Sequence, residues 1–71
     1  MNQLHPKKLL DSKWTAVHPK NSEKHFVVTR CTYSSPGVVD LVELEAVYTG
    51  QCYEMPWRDL KDDTRWLIGW K

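Results

Sequence analysis

The chain is poor in most of the features that announce a chemistry. It holds two cysteines, Cys31 and Cys52, in no CxxC spacing, so neither a dithiol redox motif nor a cysteine-type zinc site is readable. Three histidines, His5, His18 and His25, are scattered without a partner four residues away, and no metal or other cofactor is expected. No apolar run reaches the length of a membrane span or of a signal-peptide core. The expectation is therefore a cytoplasmic protein with free thiols and no membrane association. A formal net charge of +1 gives no global field to recruit nucleic acid or lipid. Nothing sets a nucleophile, a base and an orienting group together, and an enzyme is not expected.

What the chain does have is tryptophan. Trp14, Trp57, Trp66 and Trp70 stand in 71 residues, three of them toward the C-terminal end. A chain of this length forms one domain and buries only roughly 60% of its unfolded surface, so large indoles are an efficient way to build a core. Hydrophobic residues make up 41% and charged residues 27%, too apolar for disorder. Charge is uneven along the chain: residues 1–35 carry six Lys and Arg against two acids, residues 36–71 four against seven. Attraction between the halves across a sheet is the plain reading, and a basic N-terminal face the sharper one.

Local pattern points to β structure. Residues 1–8 read as a flexible arm ahead of one small β domain over 9–71, with Leu9 and Leu10 tucked beneath it. Ser12–Val17 is a short β-prone run, and His18–Lys24 reads as a polar loop. In His25–Tyr33, Phe26 and Val28 share one face while Val27, Cys31 and Tyr33 share the other. Ser34-Ser35-Pro36-Gly37 suits a type II turn. In Val38–Tyr48, Val42, Leu44 and Ala46 face one way. Thr49-Gly50-Gln51 reverses the chain into Cys52–Trp57, where Tyr53, Met55 and Trp57 alternate inward and Pro56 marks an edge or an ending. Asp62 or Asp63 can cap a short helix that places Trp66 and Trp70 four apart. The expected fold is mainly β: a four-stranded antiparallel meander, open or curled into an SH3-like half-barrel, with a short C-terminal helical turn. Register, oligomeric state and the adjacency of Cys31 and Cys52 stay open.

Four segments in order, Ser12-Lys13-Trp14-Thr15-Ala16-Val17, His25-Phe26-Val27-Val28-Thr29, Trp57-Arg58-Asp59-Leu60-Lys61-Asp62 and Trp66-Leu67-Ile68-Gly69-Trp70-Lys71, resemble a family of small tryptophan-rich conserved bacterial proteins. The resemblance runs from Leu9 onward. It implies no reaction, ligand or partner, because that family is one of unknown function.

The residues themselves suggest a division of labour. Trp57, Trp66, Tyr53, Met55, Phe26 and Val28 are the expected core. Trp14 and Trp70, with Lys13, Lys24, Arg30 and Arg58, are the expected aromatic and basic binding surface, and Arg58 or Arg65 could instead stack on indoles within the fold. Such a surface would serve a non-enzymatic interaction module whose partner is a protein or a single-stranded nucleic acid. The alternative is a structural accessory subunit that docks on a larger bacterial enzyme.

Overall fold

The computed structural model describes residues 2–71. Five strands form one antiparallel sheet: β1 (Lys13–Lys20), β2 (Glu23–Ser35), β3 (Val38–Ala46), β4 (Cys52–Pro56) and β5 (Trp66–Ile68). Their order is β4-β3-β2-β1-β5. Successive hairpins build the sheet outward from β1, and the last strand returns to the open side of β1. Pro6–Lys8 and Trp57–Lys61 are short 3-10 turns.

The expected count of four strands is therefore corrected to five, and the expected C-terminal helical turn is a strand. Ala16 pairs with Trp66, Thr15 with Leu67 and Trp14 with Ile68. A two-turn helix is marginal in water, whereas β5 satisfies backbone groups that β1 would otherwise leave at an edge. Asp62 does act at a chain reversal, accepting from the Thr64 amide at 3.0 Å and from its hydroxyl at 2.5 Å. It caps a single turn from which the chain extends. The helical turn falls earlier, at Trp57–Lys61, directly after Pro56, which has no N–H to lose at a helix start.

β2 is long because two hairpins share it. Its first residues pair with β1 and its later ones with β3, the ladders overlapping at Phe26 and Val27. A bulge at Thr29, between the Val28–Leu44 and Arg30–Glu43 pairs, changes the side-chain phase. Cys31 consequently joins the core face opposite Val42 instead of sharing a face with Val27. Cys31 and Cys52 lie on strands separated by β3, and both are free.

The stretch His18–Lys24 is not a loop. β1 continues to Lys20, and Asn21-Ser22 make a two-residue hairpin turn with φ of 56° and 62°. Positive φ at both positions is the primed-turn geometry that matches strand twist. Between Thr15 and Lys20, four residues of β1 face only Lys24 of β2, and this irregular segment accommodates Pro19.

One face of the sheet holds the core: Trp14, Phe26, Val28, Val39, Val42, Leu44, Ala46 and Trp66, closed by Leu9 and by Leu60 from the second 3-10 turn. Phe26, Val28 and Trp66 are buried as expected, and Met55 and Trp57 are half-buried against them. Leu10 is exposed while Leu9 is buried. Asn2 lies across the closing elements: its side chain donates to the carbonyls of Leu60 at 2.9 Å and Trp66 at 2.7 Å. Met1, the start of the expected arm, lies outside the described residues.

Candidate functional site

Residues of both edge strands pack against Phe26 of β2. Phe26 sits between them, edge-on to Trp66 of β5 at 5.2 Å and to Tyr53 of β4 at 6.2 Å. Each such ring pair contributes about 0.5–1.5 kcal/mol beyond area burial. These three rings, with Ala16 and Met55, form the apolar walls of an open cavity of about 440 Å³. His18, Lys20, Asn21 and Glu23 from the β1–β2 hairpin, and Arg65 before β5, supply its polar rim. The volume lies in the range of small-ligand sites.

Glu23 is the unusual member. It is 4% exposed, and its two carboxylate oxygens accept from different hydroxyls. Thr49, in the β3–β4 turn, donates to Oε2, and Tyr53 donates to Oε1 at 2.5 Å. The Thr49 and then the Tyr53 hydrogen bond hold the carboxyl below its ordinary range, against the opposing effect of burial. The same bond raises the Tyr53 phenol, with burial and the Glu23 charge adding to the effect. Glu23 is thus an ionised carboxylate in the cavity wall, held by hydroxyls. Nearby, the Nε1–H of Trp66 (7% exposed) meets no acceptor among the described residues. A buried donor left open is uncommon and needs a physical reason.

The expected binding residues do not assemble into one surface. Trp14 is 3% exposed and belongs to the core, its Nε1–H donating to Ser12 Oγ at 2.9 Å. Its pairing with Phe26 in register puts it on the inner face, which removes it from any aromatic surface. Trp70 is 46% exposed. It lies on the outer face, with its Nε1–H bonded to the Phe26 carbonyl at 3.0 Å, its ring 5.8 Å from His25 and Lys13 Nζ 5.5 Å from its centroid. Thr15 and His25 fasten this C-terminal segment. Thr15 Oγ1 donates to the Gly69 carbonyl at 2.7 Å, and His25 Nε2–H donates to that of Lys71 at 3.0 Å. Lys13 and Trp70 are therefore together, whereas Lys24, Arg30 and Arg58 are exposed at other places. The cations over indole faces are Lys13 on Trp70 and Lys61 on Trp57, in place of the arginines expected there.

Tyr53, expected in the core, is 39% exposed. It does face inward, opposite Leu44, but an edge strand has no neighbour to cover it, and its hydroxyl reaches Glu23. The cavity residues His18, Lys20, Glu23 and Arg65 carried no legible signal. They lie in polar stretches whose meaning depends on the two-residue turn and on β5, and Glu23 is out of phase with Phe26 and Val28. A second hollow, about 540 Å³, is lined by Leu4, Leu9, Trp14 and Ile68 under the N-terminal segment.

No helix among the described residues is long and apolar enough to cross a membrane, and no group of three or more metal-ligating side chains occurs among them. No curated protein and no solved structure shows significant similarity to the chain. Residues 12–71 match the family described as Tryptophan-rich protein (DUF2389), and the chain therefore belongs to that tryptophan-rich family of unknown function.

Proposed function

We propose that the protein is a non-enzymatic interaction module of the cytoplasm, and that it seats a segment of another protein in the cavity between Phe26, Tyr53 and Trp66. The observation that carries this reading is the convergence of both edge strands on one aromatic-walled, solvent-open hollow. Strand order, a β2 shared by two hairpins and a 3-10 turn ahead of the last strand support the SH3-like description of the frame.

Protein is favoured over single-stranded nucleic acid on physical grounds. Base stacking needs several open ring faces along a basic track. Here Trp14 is buried, Trp70 already carries Lys13, and the cavity wall contains a carboxylate that repels phosphate. The accessory-subunit alternative uses the same hollow with a larger enzyme as the partner.

The test is titration with single-stranded RNA and DNA, followed by intrinsic fluorescence at two salt concentrations, beside affinity capture from lysate using wild type and Phe26→Ala. The expected outcome is no salt-dependent quenching by nucleic acid, and a stoichiometric protein captured by wild type alone. Salt-dependent quenching without protein capture would overturn the reading.

A further inference from the structure

We propose that the occupant of the cavity is a cationic side chain of the partner, a lysine or arginine flanked by acidic residues, with Glu23 as its counter-charge and Phe26, Tyr53 and Trp66 as its ring walls. This inference rests on the interaction-module reading above.

Two observations support it. The first is charge. Glu23 is buried, and the groups that hold its two carboxylate oxygens are the hydroxyls of Thr49 and Tyr53. Hydroxyls satisfy lone pairs without supplying a counter-charge, and each carboxylate oxygen keeps further acceptor capacity. The second is the wall. Phe26 stands edge-on to both Tyr53 and Trp66, and the three rings border the same space; the quadrupole of an aromatic ring attracts an organic cation.

The rim adds specificity. Lys20, Arg65 and His18 stand around the mouth and are exposed. They disfavour a polybasic segment and complement carboxylates on either side of the inserted cation. A phosphate chain meets the reverse arrangement, an accommodating rim around a repelling wall. The fitting sequence is thus one basic residue set among acids.

The experiment uses the whole 71-residue chain, labelled for two-dimensional NMR, with the Trp66 indole N–H as the reporter. Three blocked pentapeptides are titrated, identical in their acidic flanks and carrying arginine, lysine or norleucine at the centre. The arginine and lysine peptides are expected to shift the Trp66 signal saturably, and the norleucine peptide to bind at least about tenfold more weakly. Glu23→Gln, which keeps the shape and an acceptor for a hydroxyl, is expected to remove that discrimination by weakening the arginine and lysine peptides. Because the comparison among peptides needs no variant, it remains decisive even where Glu23→Gln perturbs folding. Equal binding of the norleucine peptide overturns the cation assignment and leaves the interaction-module reading standing. Absence of any shift from all three peptides overturns the assignment as well. If single-stranded RNA then shifts the Trp70 signal, both fall.

Discussion

At the residue scale, the Glu23–Tyr53 pair ties pH to stability in both directions. The folded-state pKa of Glu23 lies below its ordinary 4.5, so its contribution is present above that value and is lost as pH falls through the lowered one. The folded-state pKa of Tyr53 lies above its ordinary 10.0, so its contribution is present below that value and is lost as pH rises through the raised one. Urea midpoints measured from about pH 3 to about pH 11 should fall at both ends in wild type. Glu23→Gln should flatten the acid limb and Tyr53→Phe the alkaline limb. An unchanged acid limb in Glu23→Gln would assign acid sensitivity to other carboxylates, such as Asp62, which Thr64 also holds low. The cysteines behave differently. Burial raises the Cys31 thiol, and burial with the nearby Glu43 and Glu45 charges raises that of Cys52, so neither has the electropositive setting of a reactive thiol.

At the element scale, the β1–β2 hairpin is the local device that places the site. Its two-residue turn puts Lys20 opposite Glu23 and brings His18, Lys20 and Asn21 to the cavity. Asn21 is a residue that tolerates positive φ well, but Ser22 at 62° is not. Ser22→Gly should therefore stabilise the protein by about 1 kcal/mol in chemical denaturation, since glycine adopts that conformation without the Cβ penalty. A loss of stability on that change would mean that the turn is not held in primed geometry. The Pro36-Gly37 turn was legible because its chemistry is explicit, and Gly37 takes the expected positive φ of 79°. The Asn21-Ser22 turn was not, because the surrounding polar residues also suit a longer loop. β5 was illegible for a related reason. Three residues cannot establish a period, and Trp66 and Trp70 at i and i+4 fit a helix equally well.

At the scale of the whole molecule, the four indoles divide by their burial. Trp14 and Trp66 lie in the core, Trp57 is half-buried under Lys61, and Trp70 lies on the outer face. Aqueous quenchers should reach Trp70 far better than the others. Iodide quenching of native fluorescence should drop by more than half in Trp70→Phe, and unfolding should restore equal access to every remaining indole. Undiminished quenching in that variant would place another tryptophan at the surface. The Trp70 side chain also shows that exposure need not mean recognition: its indole N–H is bonded to the sheet backbone and Lys13 covers its ring.

Sequence alone determined that this is a small, mainly β, antiparallel domain, because alternation in Phe26–Val28 and Val42–Ala46 and the Pro-Gly turn are local properties. It also singled out Phe26, Val28 and Trp66 as core and Trp70 as exposed. Tertiary structure alone decided the fifth strand, the inward place of Trp14 and the site itself. Those depend on which segment pairs with the free side of β1 and on which side chains the edge strands bring to Phe26. Both are settled by contacts between residues as distant in the chain as Ala16 and Trp66, or Glu23 and Tyr53. No local pattern encodes the approach of Tyr53 and Trp66, from opposite edge strands, to Phe26, and the cavity lies among these three rings.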